Sequence, residues 1–113
     1  MRRKLKTGAP GDPVLETIVS RLVDAYQPER IYLFGSLARG DASRDSDYDL
    51  MVVVSDDAPA ELRRSRRAYE ALCGTGAAAD VLVWTRSAFD VRLKLRASLP
   101  SAIAREGRLL YAA

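Results

Sequence analysis

The stretch Leu33-Phe34-Gly35-Ser36-Leu37-Ala38-Arg39-Gly40-Asp41, followed after three intervening residues by Asp45-Ser46-Asp47-Tyr48-Asp49-Leu50, decides how the chain is read. Its apolar start, Arg30-Ile31-Tyr32-Leu33-Phe34, is a short strand that Gly35-Ser36 ends, and a brief helix or turn is expected from Leu37 to Arg39. Residues 40–46 are polar and read as a loop. They lead into the most β-like run of the sequence, Tyr48-Asp49-Leu50-Met51-Val52-Val53-Val54. A strand that turns into a helix start leaves backbone N–H groups unpaired, with a partial positive charge suited to phosphate oxygens. Gly35 lets a bulky anion approach the backbone, and the Ser36 hydroxyl adds a donor. By itself, though, a Gly-Ser pair ending a strand is more often an ordinary turn.

Asp47 and Asp49 sharpen the reading. Residues i and i+2 of a strand share a face, with Cα atoms roughly 6–7 Å apart, so the two carboxylates repel unless a cation lies between them. Mg²⁺ takes oxygen ligands of this kind and leaves its other positions to water and phosphate. A solvated turn accounts for Asp45, Ser46 and Asp47. It accounts poorly for Asp49, because aspartate is disfavoured in strands and the next five residues are apolar. A calcium loop starting Asp45-x-Asp47-x-Asp49 fails, since it needs glycine where Leu50 stands and a bidentate glutamate where Asp56 stands. A Walker-type phosphate loop fails as well, because no Gly-Lys-Ser/Thr follows Gly35. Asp80 opens a further strand, Val81-Leu82-Val83. If that strand neighbours the one bearing Asp49, three acids converge and can hold two metal ions about 3.5–4 Å apart. A strand-entry turn residue explains Asp80 equally well.

Working outward, Asp12 caps a helix whose first residue is Pro13. Leu15, Ile18, Val19, Leu22 and Tyr26 carry its apolar stripe to about Gln27, and Pro28 stops it. Pro59 opens a second, long helix to about Cys73, with Leu62, Ser65, Tyr69 and Leu72 facing inward and Arg63, Arg64, Arg66 and Arg67 outward. Gly74-Thr75-Gly76 ends that helix, and Ala79-Asp80-Val81-Leu82-Val83-Trp84 is the next strand. Helical pieces near residues 86–96 and 99–106 follow, then Gly107 and a last apolar segment, Arg108-Leu109-Leu110-Tyr111. Helices alternating with three strands and a possible fourth give an α/β or α+β layer, whose strand order the pattern leaves open.

At 113 residues the chain fits one small domain: a flexible basic tail over 1–11, then a single unit over 12–113. No apolar run approaches the roughly 20 residues of a membrane span, and the basic start lacks the apolar core of a signal peptide, so a cytoplasmic protein is expected. Cys73 is the only cysteine and reads as a small packing residue. The absence of histidine excludes Ser-His and Cys-His catalysis and histidine zinc sites. Transfer or hydrolysis must then rest on carboxylates, backbone amides, arginines and a hard metal. A net charge of +3 favours an anionic ligand only mildly, because much of it sits in the tail and in the arginine run after residue 62. Nucleic acid is a poor fit to that run, where only Tyr69 is at hand for base stacking.

Gly35-Ser36, Asp47-Tyr48-Asp49 and the later lone Asp80 together resemble the DNA polymerase β-like nucleotidyltransferase superfamily. The form is similar to the minimal nucleotidyltransferase (MNT) domains of bacteria and archaea, over about residues 13–111. The ending Ile103-Ala104-Arg105-Glu106-Gly107-Arg108-Leu109-Leu110-Tyr111 resembles theirs too. The resemblance implies a small mixed sheet of three to four strands packed with helices. It implies that Gly35 and Ser36 bind the triphosphate, that Asp47 and Asp49 ligate Mg²⁺, and that Asp80 is the third acid and helps activate the attacking hydroxyl. Arg39 is then a phosphate or partner contact, or equally a structural ion pair. Two Mg²⁺ ions and ATP follow as cofactor and substrate. One departure stands out: many relatives carry arginine where this chain has Leu37. Proteins of this type pair with a HEPN-family toxin as the antitoxin of a two-gene toxin–antitoxin module, in characterised cases by adenylylating the toxin. A non-catalytic antitoxin that masks its partner is the alternative, and homo- and hetero-oligomers both remain open.

Overall fold

Helix α1, Pro13–Tyr26, starts where the sequence places its cap. In the computed structural model, which describes residues 12–35, 38 and 48–113, the Asp12 carboxylate accepts the Leu15 N–H at 3.1 Å ahead of Pro13. The helix ends at Gln27, whose left-handed backbone (φ 47°) turns its N–H back to the Val23 carbonyl at 2.8 Å. Leu15, Ile18, Val19, Leu22 and Tyr26 are its buried residues, the set predicted by the helical period.

That stripe lies on a mixed sheet built from β1 (Arg30–Phe34), β2 (Tyr48–Val54), β3 (Ala79–Thr85) and β4 (Arg108–Ala112). The order is β3-β2-β1-β4, with β1 antiparallel to β2 and β4, and β2 parallel to β3. Leu50 to Val54 are all buried because helices cover both faces of β2. Leu50, Val52 and Val54 join Ile31, Leu33, Val81 and Leu110 beneath α1. Met51 and Val53 join Tyr32, Phe34 and Trp84 on the opposite face. That face is covered by Phe89 of α3 (Arg86–Val91) and Ile103 of α4 (Leu99–Glu106).

The expected long helix from Pro59 is broken. A 3₁₀ turn, Ala60–Arg63, gives way to an extended Arg64 (φ −114°, ψ 140°), and a short helix α2, Arg66–Ala71, begins anew. The buried Tyr26 hydroxyl donates to the Arg64 carbonyl, an acceptor that a continuous helix would have given to its own ladder. Arg63 is tied back as well, to the Ala58 carbonyl at 2.9 Å and the Asp56 carbonyl at 3.2 Å. The inward set shifts accordingly. Ala68 and Leu72 are buried, Leu62 and Ser65 are half-buried, and Tyr69 is exposed. Cys73 is exposed rather than packed, since it lies in the turn beyond α2, where its carbonyl accepts from Arg21 at 3.0 Å.

The next helix is also shorter than its pattern, ending at Val91 rather than near 96. Ser98 takes the Arg92 carbonyl with its hydroxyl at 2.5 Å and caps α4 by accepting the Ser101 N–H at 3.2 Å. The start of α3 is held by Thr85 and by Asp56, which accepts from the Ser87 hydroxyl and, at 2.9 Å, from the Ser87 N–H. These two bonds, the hydroxyl's first, hold the Asp56 carboxyl below its ordinary value. Gly107 turns α4 into β4 where a Cβ would lie 2.7 Å from the Ile103 carbonyl oxygen and 2.8 Å from that of Leu33, too close for any side chain. Among the described residues no helix is long and apolar enough to cross a membrane.

Candidate active site

The C-terminal end of β1 and the N-terminal ends of β2 and β3 meet at one edge of the sheet. Phe34 stands opposite Asp49, and Asp49 stands opposite Asp80 in the parallel ladder. Directly paired residues share a face, and neighbouring strands lie about 4.8 Å apart, so both acids leave the sheet on the same side at close range. That side is the one lined by Met51, Val53 and Trp84. Asp49 is half-buried and Asp80 exposed, which places the pair at a solvent-open margin of the α3–α4 face. The strand adjacency on which a role for Asp80 depends is therefore present.

Gly35 closes the other flank. Its backbone is left-handed (φ 77°), and a Cβ built on it would sit 2.3 Å from Asp49 Oδ2. The carboxylate thus occupies the space that any other residue's side chain would need. Two carboxylates on rigid strands, in a chain without histidine, form an all-oxygen donor set, which suits a hard cation such as Mg²⁺ better than zinc. Among the described residues no group of three or more His, Cys, Asp or Glu is placed to hold a metal. Asp47, Ser36, Leu37 and Arg39 lie outside the described residues.

A family model for the nucleotidyltransferase domain matches residues 15–110. The chain belongs to that family. A crystal structure of a toxin–antitoxin with AMP-PNP is similar at TM-score 0.57 and 23% identity, over 87% of this chain and 73% of that one. A mutant of the toxin–antitoxin MntA-HpeT is similar at TM-score 0.56 and 21% identity, over the same 87% and 73%. At such identities the likeness is one of fold. No curated protein matches the chain.

One residue of this nucleotidyltransferase domain escaped the reading of its sequence. Tyr48, between the two aspartates of the motif, turns to the opposite face and donates its hydroxyl to the Asp12 carboxylate, 3.1 Å from Oδ2 and 3.4 Å from Oδ1. Burial, then this bond, pushes the Tyr48 hydroxyl's pKa up. Asp12 therefore both caps α1 and ties the first residue of β2 to that cap. The motif's strand entry is fixed from behind by a contact spanning 36 positions. Strand alternation shows that Tyr48 points away from the acids, but no local pattern names its partner.

Proposed function

We propose that this nucleotidyltransferase domain transfers a nucleoside monophosphate, AMP from ATP, to a hydroxyl of a partner protein, with Mg²⁺ as cofactor. We propose further that the partner is a HEPN-family toxin for which this chain is the antitoxin. The observation that carries the reading is the in-register pair Asp49 and Asp80, flanked by a glycine backbone that leaves room for a carboxylate, in a chain of this family. The similarity in fold to two toxin–antitoxin proteins, one of them with AMP-PNP, supports the choice of nucleotide and of a toxin as partner, and the HEPN family is what the sequence resemblance implies.

Asp47, Asp49 and Asp80 would hold the metal, which when bound neutralises triphosphate charge and favours ionisation of the incoming hydroxyl. The rest falls to this chain's own groups. The backbone at Gly35 and the Ser36 hydroxyl would donate to the triphosphate oxygens, with Arg39 a further contact. Attack requires the α-phosphorus in line with the acceptor oxygen, an alignment that the rigid strand ends would favour. As the new O–P bond forms, the bond from the α-phosphorus to the bridging oxygen breaks and pyrophosphate leaves. Asp80, solvent-open on the same face, accepts the acceptor's proton.

The test is transfer from ATP labelled at the α-phosphate, with Mg²⁺, to the product of the neighbouring gene, wild type beside Asp49→Asn. Label on the partner with wild type only is the expected result. A stable complex that neither protein labels would refute transfer and leave an antitoxin that masks its partner.

A further inference from the structure

From the last residue of α3 toward α4 the chain runs Val91-Arg92-Leu93-Lys94-Leu95-Arg96, with aliphatic and basic residues alternating. Alternation of this kind on a strand would bury one set, but this segment is a series of turns. Arg92 N–H reaches the Phe89 carbonyl at 3.2 Å, Leu95 N–H the Arg92 carbonyl at 3.0 Å, and Ser98 N–H the Leu95 carbonyl at 2.8 Å. The backbone is well satisfied locally, yet it holds Val91, Leu93 and Leu95 outward at 65%, 36% and 60% exposure. Core packing on this face is done by Phe89 and Ile103 instead. Single exposed aliphatics need no explanation, whereas three within five residues mark a contact surface.

The charge around them has one sign. Between Asp90 and Glu106 the sequence holds four basic residues and no acid, and Asp90 itself is engaged by Arg30 at 3.1 Å. Lys94 and Arg96 form no ion pair among the described residues. The surface also leads to the acids. The Arg92 guanidinium lies over the Trp84 ring, 5.5 Å from its centroid. Trp84, Leu82 and Asp80 follow one another along one side of edge strand β3, and Leu82 is 38% exposed. The step from Trp84 to Asp80 spans roughly 13 Å.

We propose that Leu82 and the segment from Val91 to Arg96 dock the acceptor protein by receiving an acidic amphipathic segment of it. The aliphatic side chains of that segment meet Leu82, Val91, Leu93 and Leu95, and its carboxylates meet Lys94 and Arg96. The naming of the occupant as the acceptor rests on the transferase reading above. Trp84 is half-buried with Arg92 over its ring and the exposed neighbours are aliphatic, which disfavours nucleic acid, whose bases would stack. An anionic bilayer is disfavoured because Asp49 and Asp80 share this face and would oppose it.

The experiment uses the full chain and the product of the neighbouring gene, with two double variants, Leu93→Ser/Leu95→Ser and Lys94→Glu/Arg96→Glu. All four side chains are exposed, so thermal unfolding should stay close to wild type. ATP binding, measured by calorimetry, should be unchanged. Affinity for the partner should fall about tenfold or more in each variant, and raised salt should weaken the wild-type complex more than the charge-reversed one. Equal partner affinity in wild type and variants, or no wild-type complex at all, overturns the docking surface. So does binding to RNA or to phosphatidylserine vesicles that the variants abolish while partner binding persists. A variant-sensitive complex that wild type never labels keeps the docking surface and refutes transfer. Equal labelling by wild type and variants at partner concentrations below the wild-type Kd does the reverse.

Discussion

Replacement of Gly35 by alanine tests the geometry of the proposed site most directly. Two separate costs arise at that position. The left-handed backbone (φ 77°) is open to glycine and costs an alanine roughly 1–2 kcal/mol. The new methyl would also stand 2.3 Å from Asp49 Oδ2, where ordinary van der Waals contact begins near 3.4 Å. The carboxylate must therefore retreat by about 1 Å, and a misplacement of that size at a reacting centre costs on the order of 100-fold in rate. We expect Gly35→Ala to fold, to lose roughly 2 kcal/mol of stability with a fall in Tm of about 10 °C, and to transfer label at about one hundredth of the wild-type rate.

Stability comes from thermal or urea unfolding, and rate from α-labelled ATP with saturating partner. A second background separates the two costs. In Asp49→Ala the obstructing carboxylate is gone, so adding Gly35→Ala should destabilise less there than in wild type, by about 1 kcal/mol of coupling. If Gly35→Ala retained transfer within about threefold of wild type, the carboxylate would not be seated where it matters, and a site built on Asp49 would be refuted. Equal destabilisation in both backgrounds would leave the left-handed backbone as the whole effect and remove the steric argument.

Three further predictions follow from named contacts. Tyr48→Phe keeps the ring but frees Asp12, so it should cost about 1 kcal/mol of stability and lower kcat several-fold, roughly; a matched loss of stability with kcat unchanged would reduce Tyr48 to a packing residue. Tyr26→Phe and Tyr111→Phe form a contrasting pair in urea unfolding. The first strips the Arg64 carbonyl of its donor and should cost about 1–2 kcal/mol. The second removes a buried hydroxyl that has no hydrogen-bond partner among the described residues and should be neutral or stabilising, so an equal loss in both would contradict the hydrogen-bond argument. Asp56 predicts a pH effect. Its carboxyl is lowered in the folded state by Ser87, so its contribution is present above the unfolded value near about 3.9 and is lost as pH falls through the lower, folded value. Tm of wild type should exceed that of Asp56→Ala by a constant margin above about pH 5 and converge with it in stronger acid; a margin unchanged down to pH 2 would exclude the charged form as the cause.

What could be read from the sequence was what is encoded within a few residues. The stripe of α1, its Asp12 cap and the bounds of β2 depend on local period and capping, and all of these emerge where the pattern puts them. The break after Arg63 does not, because it answers to the hydroxyl of Tyr26, 38 positions away. Cys73 is exposed because α2 ends at Ala71, short of the expected end near Cys73, and leaves it in the turn beyond. The site divides along the same line. That Asp49 is an anomaly in an apolar strand is visible locally; that Asp80 is its direct neighbour depends on β3 pairing parallel to β2, which no periodicity specifies. Gly35 joins both kinds of information. Read locally, its missing side chain makes room for a phosphate; in the fold, the room is taken by the Asp49 carboxylate. The two demands are compatible only if ligand and carboxylate approach the glycine from different sides. If Gly35 binds the triphosphate as proposed, the phosphate must accept from its N–H on a side away from the Cα hydrogen that faces Asp49.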